Sequence, residues 1–553
     1  MKNISSQGIS AVWLIFAWLI LLAAPASAFN FKVGGVKGAL DTDLTYGLQY
    51  RTSDAAKDNQ GAYGNRALYS DRGDIFSNQV RASVTLALKF GKNYGALFRG
   101  NSFFDFKGND VKLRGEAKDE LESQNNLTDA YVYGYFGDNQ QLTVRVGKQV
   151  ISWGENTFIQ GSLNDINTVN LSSLRQPGRQ LKDAFIGTDA VYVTYNFLEN
   201  WTLEGFMLLD FDPVEIDPMG SFWTTLDGAG TGGGRDGDGD GVLGETGPGP
   251  FVGGNCVAYD GFPCDLLGGV LTRVSDNEAS SSGQYGLALR RFIPGLFNGT
   301  EVGFYYQNLH DHGPAFSGYE GTGLYFLDYA ENIERYGASF NTNIGGWAMG
   351  GEYSFRNGAP IQLTSPLLGT IGNAPSGRYL KGYGEVDRHQ VQFTFQRVWG
   401  VVHAIGADGA MTLAEIAYGW IDDLPSDKTD MFEVYNVGGV QVGEVTNNFS
   451  GLQILQNVSY NAALFNLIEV SPFVAYKWDI DGVSQEIGGG KLFIENRQAL
   501  TLGVNFGYQG GRYKGGISWT QFYGDAGLRN AAGSRLNGRT DRDYVAISIG
   551  ASF

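Results

Sequence analysis

The chain has 553 residues, a formal charge of −18, and 18% charged against 42% hydrophobic residues. It carries 81 Gly, 35 Phe, 29 Tyr and 10 Trp but only 14 Pro and two Cys. Acidity on this scale argues against a nucleic-acid partner. More than four hundred residues would form several soluble domains, but no linker separates them, and glycine and aromatic richness suits strands of a barrel.

Residues 1–28 read as a secretory signal peptide. Lys2 precedes the apolar run from Ala11 to Ala24, and Ala26-Ser27-Ala28 forms an A-x-A cleavage site. A mature chain beginning at Phe29 is therefore expected, with the fold confined to 29–553. No other run approaches the ~20 apolar residues of a membrane helix, so an exported chain enters a membrane as strands or not at all.

From there the period is two. Val80, Ala82, Val84, Leu86, Leu88 and Phe90 share one face, while Arg81, Ser83, Thr85 and Lys89 share the other. Val391, Phe393 and Phe395 alternate with Gln390, Gln392, Thr394 and Gln396, and the pattern repeats around 500–509. Strands are expected near 39–51, 77–90, 94–106, 127–137, 140–150, 184–197, 200–211, 283–293, 298–309, 332–342, 346–356, 386–399, 409–421, 451–461, 468–479, 498–508, 512–523 and 543–553. That is an all-β, antiparallel, up-and-down transmembrane barrel of 18 strands, with 16 or 20 if one hairpin is misplaced. In the strand at 409–421, Glu415 interrupts the apolar face. Intervals alternate between short and long, as periplasmic turns and extracellular loops do. The last strand, Asp543 to Phe553, would be an aggregation-prone edge in a soluble protein. In a closed barrel it pairs with the first strand, around Ala39–Arg51. Only about ten residues, 29–38, precede that strand, too few for a plug domain.

Two loops carry chemistry. The loop at 151–183 mixes Phe158, Ile159, Leu163, Ile166, Val169, Leu171 and Leu174 with charges of both signs, and Pro177-Gly178 forms a turn. A fully solvated loop needs no such apolar content, so 151–183 is expected to fold against the inner wall and constrict the lumen. Arg145, Trp153, Glu155, Asp165, Arg175, Arg179 and Lys182 are the candidate constriction residues, because paired charges at a narrowing select permeants. The alternative is a packed loop held by structural salt bridges.

The loop at 212–282 is Gly-rich and holds 12 Asp and Glu against two Arg, a balance of −10, over half of the chain's −18. Asp236, Asp238, Asp240 and Glu245 offer spaced oxygen ligands to Ca²⁺, although the spacing departs from an EF-hand loop. The alternatives are a solvated acidic loop or one bridging divalent ions among surface lipopolysaccharide. Cys256 and Cys264 are expected to close a small disulfide loop in an oxidising compartment. His310-Asp311-His312 puts both imidazoles on one side if extended. No serine–histidine–acid arrangement, phosphate-cradling glycine loop or basic nucleic-acid surface stands out.

Several stretches resemble the Gram-negative outer-membrane family numbered thirteen-oh-two among domains of unknown function. They are VRVGKQVISWGENTFIQGSLNDINTVNLSSLRQPGRQLKDA from 144, FRGNSFFDF at 98–106, TDAYVYGYF at 128–136, and SGQYGLALR followed by NLHDHGP. Lys148 stands where that family usually shows arginine. The resemblance implies an outer-membrane location and no established activity. Members often accompany an exported lipoprotein-like family and a resistance–nodulation–division type transporter, which implies movement of a hydrophobic or lipid-like compound across the envelope. The expectation is a non-enzymatic channel or transport barrel with no required cofactor. Its partners would be outer-membrane lipid, the β-barrel assembly machinery, a periplasmic or lipoprotein partner and an inner-membrane transporter. The competing readings are a lipid-modifying enzyme, with His310 and His312 its first candidates, and a surface adhesion or structural barrel using the acidic loop.

Overall fold

The structure, a computed structural model, describes residues 29–56, 69–111, 115–178, 185–218, 221–224, 229–231, 272–363, 375–422, 424, 435–437, 440–442, 445–485, 492–524 and 537–553. Eighteen strands close into one antiparallel barrel. They are β1 (Val36–Arg51), β2 (Ile75–Phe90), β3 (Tyr94–Asp105), β4 (Ser123–Phe136), β5 (Leu142–Gln149), β6 (Thr188–Leu198), β7 (Trp201–Leu208), β8 (Tyr285–Ile293) and β9 (Thr300–Leu309), then β10 (Ile333–Ile344), β11 (Trp347–Gln362), β12 (Tyr383–Trp399), β13 (Gly409–Asp422), β14 (Asn448–Leu464), β15 (Ile468–Asp481), β16 (Gln498–Tyr508), β17 (Tyr513–Tyr523) and β18 (Tyr544–Ser552). Each pairs with its sequence neighbour, and β18 closes on β1 from Asp43↔Ser552 to Arg51↔Tyr544. Two backbone bonds extend that seam, from Thr42 N to Phe553 O at 3.0 Å and from Phe553 N to Thr42 O at 2.8 Å.

The expected strands are all present, one for one. Three details differ. Phe29–Val33 is not a mere lead-in but pairs with the start of β1 as a hairpin, its turn made by Gly34 at φ 59°. Gly38 permits this, because a Cβ there would stand 2.1 Å from the Phe31 ring. β11 and β12 run farther toward the long-loop end than expected, with pairing carried from Ala359↔Val386 to Gln362↔Tyr383 beyond a bulge. Glu415 does not interrupt the outer face of β13. It is buried on the inner face, while its neighbour Ile416 is exposed outside.

The two faces of the wall follow the alternation. Outward Phe304 is 61% exposed and Ile549 57%, whereas inward Gln307 is 0% and Arg81 4%. An apolar outer face stable in a folded barrel requires a lipid solvent rather than water. Exposed aromatics ring both ends: Phe90, Tyr94, Phe136, Phe297 and Trp399 toward the short turns, and Phe104, Tyr285, Tyr336 and Tyr418 toward the long loops. A small sheet (Ala315–Tyr319, Leu324–Asp328, Tyr379–Leu380 and Thr272–Arg273) sits among the long loops.

Candidate functional site: a loop gripped by the inner wall

The chain leaves β5 at Gln149 and turns inward. Asn167 clamps the neck of this segment: the Ile151 N–H donates to its Oδ1 at 2.8 Å, and its Nδ2 donates to the Ile151 carbonyl at 2.5 Å. Trp153 is fully buried against inward-facing Phe206 and Tyr305, with ring centroids 4.8 and 5.8 Å away. Its indole N–H donates to Glu204 at 2.7 Å, beside the Tyr192 hydroxyl, which donates to the same oxygen at 2.6 Å. Ile151, Leu163 and Ile166 complete this cluster with Leu208, Ala288 and Leu309. Burying a side chain of this size contributes roughly 1.5–3 kcal/mol, so the apolar residues fix the segment to β6–β9.

Polar anchors fix it to the next sector. Gly154 turns at φ 88°, where a Cβ would stand 2.4 Å from the Glu352 carboxylate. Glu352, on β11, accepts from the Glu155 backbone N–H, from the Gln392 side chain at 3.0 Å and from Leu163 N at 3.4 Å. Glu415, on β13, accepts from three consecutive backbone N–H groups: Thr157 at 2.6 Å, Phe158 at 3.0 Å and Ile159; the Thr394 hydroxyl adds a fourth bond at 2.7 Å. A carboxylate collecting several N–H donors makes charge-assisted bonds of about twice ordinary strength.

Arg335, Arg356 and Arg388 are lateral partners across β10, β11 and β12. Like charges directly opposite one another repel. Asp165 of the internal segment supplies the counter-charge, pairing with Arg356 and lying 3.9 Å from Arg335. Burial works against ionisation of Asp165, but Arg356 and then Arg335 outweigh it and hold its carboxyl down to about 2. Beside them lies a cavity of about 90 Å³, lined by Gln160, Asp165, Asp311, Arg356, Arg388 and Gln485 among others. A polar cavity of this kind suits ordered water. Glu155 behaves oppositely. Burial pushes its carboxyl up to about 7, against the opposing hydrogen bond from Asn341 at 2.8 Å.

The segment then travels to the far side. Arg175 pairs with Asp217 and lies 5.6 Å over the Trp223 ring. Its carbonyl accepts from Gln49 of β1 at 2.8 Å, and Gln176 accepts from Arg81 of β2 at 2.7 Å. Pro177 fits against Gly47, where a Cβ would stand 2.3 Å from the proline Cγ. One continuous stretch therefore touches β13 at Thr157 and β1 at Pro177. A second stretch joins it: Phe222 and Trp223 pack on Tyr69, Phe76 and Tyr544, and Arg542 donates to the Trp223 and Thr224 carbonyls at 2.7 Å each.

Of the sequence candidates, Trp153, Glu155, Asp165 and Arg175 lie on this segment, and Arg145 lies on the inner wall of β5 beside Tyr192. Arg179 and Lys182 lie outside the described residues, as do Asp236, Asp238, Asp240 and Glu245 of the Ca²⁺ expectation and the Cys256–Cys264 pair. Among the described residues no three metal-ligating side chains cluster. Of the wall residues that grip the loop, Glu352, Arg335 and Arg356 were not singled out from sequence, and Glu415 reads there as an interruption of the apolar face. Nothing in a linear pattern says which segment such residues meet. His310 and His312 both pack against Phe211, with centroids 6.1 and 5.8 Å away.

The barrel has counterparts among proteins of known structure. Among solved structures it is similar to Pseudomonas aeruginosa OpdK with vanillate (8% identity, 93% of this chain and 98% of that chain, TM-score 0.41). It is also similar to Pseudomonas aeruginosa OccK9, or OpdG (10%, 93% and 98%, TM-score 0.43), and to Acinetobacter baumannii OccAB4 (10%, 96% and 100%, TM-score 0.41). No curated protein matches the chain. The family model described as a protein of unknown function, DUF1302, matches residues 9–553, and the chain belongs to that family.

Proposed function

We propose that this protein is an outer-membrane channel whose path is narrowed by the internal segment 151–178. The observation that carries this reading is the grip of Glu415 and Glu352 on the backbone of that segment while its far end reaches β1. Eighteen strands enclose more space than wall side chains fill. The inner faces of β16 and β17 carry small residues, Thr501, Gly503, Asn505 and Ser518, away from the gripped sector. Water and solute pass beside the segment there. The apolar outer face supports the outer-membrane location, with the long loops outside the cell.

A hydrophobic or lipid-like cargo, handed over by a periplasmic partner and an inner-membrane transporter, extends this reading. An enzymatic reading finds less support. The His310 ring is held by the Ser282 carbonyl and the Asn332 N–H, each at 3.0 Å, and the His312 ring lies 2.7 Å from the Asp212 carbonyl. Both rings are thus engaged by backbone groups, which favours a structural part for them. The test is ion conductance in planar lipid bilayers. Wild-type protein is expected to give small discrete steps, and a variant with 154–176 replaced by a short glycine–serine linker to give steps several-fold larger. If neither protein conducts, the channel reading fails.

A further inference from the structure

Below the internal segment, the inner face of β4 presents Tyr131, Tyr133 and Tyr135. Their ring centroids are spaced 6.4 and 5.5 Å, with planes tilted 53° and 68°. The intervening Val132 is exposed on the outer face, which fixes the tyrosines to the lumen side. Gly95, opposite Tyr133 on β3, lets that ring lie flat on the wall, because a Cβ there would stand 2.3 Å from its hydroxyl end. Gly147 stands opposite Tyr131, and Thr143 opposite Tyr135. The column therefore starts near the Arg99–Asp129 ion pair and ends beside the turn at 137–141.

Arg145 of β5 joins the column from the side. Its guanidinium lies 5.6 Å from the Tyr131 ring and 4.3 Å from that of Tyr192. Tyr192 in turn shares Glu204 with Trp153, so the column begins at the foot of the internal segment. Among the described residues no carboxylate lies within ion-pair distance of Arg145, unlike Arg99, Arg175, Arg290 or Arg356. Arg145 is half-buried, and among the described residues its guanidinium meets the faces of Tyr131 and Tyr192.

We propose that Tyr131, Tyr133, Tyr135 and Arg145 form a binding track for aromatic carboxylates, amphiphiles with a planar ring and one anionic end. The tyrosine faces take the ring by offset or edge contact. The planar fork of Arg145 takes the carboxylate with two parallel N–H bonds. Repeated rings at similar spacing let the ligand move from one to the next without losing contact. This deepens the channel reading, on which its role in transport rests, but binding itself requires no conduction.

The experiment is isothermal titration of benzoate into detergent-purified full-length protein. Acetate serves as the probe with charge but no ring, and benzyl alcohol as the probe with ring but no charge. Benzoate is expected to bind more tightly than either. Arg145→Gln is expected to weaken benzoate about tenfold or more, the scale of a charge-assisted bond, and to leave benzyl alcohol unchanged. Tyr133→Leu is expected to weaken both ring-bearing probes, and Tyr133→Phe to restore them. Arg145→Lys guards against a folding failure, since it keeps the charge while giving up the fork, and is expected to bind at an intermediate level. Benzoate binding no tighter than acetate, or unmoved by both Arg145→Gln and Tyr133→Leu, overturns the proposal. Benzoate binding by a protein that shows no conductance in bilayers overturns the channel reading and leaves the track standing.

Discussion

Replacing Glu415 by alanine removes the acceptor for the Thr157, Phe158 and Ile159 N–H groups and for the Thr394 hydroxyl. Buried donors left without an acceptor cost about 1–3 kcal/mol each. Taking the low end for the three backbone donors, because water enters partly, gives a loss of about 3 kcal/mol confined to the segment. Since 1.4 kcal/mol is tenfold, local opening there becomes roughly a hundred times more frequent. The barrel ladder on either side of residue 415 is backbone-bonded and survives the change. Amide hydrogen exchange followed peptide by peptide measures this directly. Exchange at 157–159 is expected to speed up by about two decades, while β12 and β13 keep their protection. Glu415→Gln, which retains one carbonyl acceptor, is expected to fall between. Unchanged exchange at 157–159 would refute the reasoning, since those amides would then owe their protection to something other than this carboxylate.

The carboxyls of the segment give opposite pH dependences. Asp165 is held down to about 2 from 3.8, so its anchoring is complete above about pH 4 and is lost as pH falls through 2. Protease cleavage of the segment is expected to rise in that acid window for wild type, and Asp165→Asn is expected to be cleaved already at neutral pH. Glu155 is raised from 4.5 to about 7, so its contribution is full below 4.5 and is lost as pH rises through about 7. Conductance is expected to rise between pH 5 and 8 in wild type and to stay flat in Glu155→Gln. On the outer face, Phe304→Arg is expected to cost about 2–4 kcal/mol of barrel stability, as a cation near the bilayer midplane does. Ser518→Arg, on the lumen face, is expected to fold normally, both read by urea titration of heat-modifiable gel migration.

The barrel was legible in the sequence because a period of two is a local property. Val84 and Arg81 declare their faces without knowledge of any distant residue, and the lengths of the intervals between strands follow from the same pattern. β18 was legible for the same reason, down to its pairing with β1. The internal segment was partly legible. Its apolar residues, Ile159, Leu163 and Ile166, signalled burial, and they are buried. Its anchors were not legible. Glu415 meets Ile159 across 256 positions and Arg356 meets Asp165 across 191, and only closure of the barrel brings such pairs together. Glu415 even looked like a flaw in β13, because a carboxylate next to Ala414 and Ile416 reads as an interruption until its strand is given an inside. The tyrosine column shows the same limit. Tyr131, Tyr133 and Tyr135 alternate in plain sight, but the sign of their face follows from Val132 outside and Arg145 within.

The central claim, that one segment crosses the lumen from β13 to β1, is tested most directly by cross-linking in native membranes. In a chain whose Cys256 and Cys264 are replaced by serine, two cysteine pairs are introduced separately: Gly47 with Pro177, and Glu155 with Gly350. A Cβ at Gly47 would stand 2.3 Å from the Pro177 ring, and one at Gly350 would stand 2.9 Å from the Glu155 Cβ. Treatment with a short bifunctional thiol reagent followed by mass spectrometry is predicted to link both pairs in high yield. A link at Gly350 with none at Gly47 would show a segment that stays on one wall and would contradict the crossing.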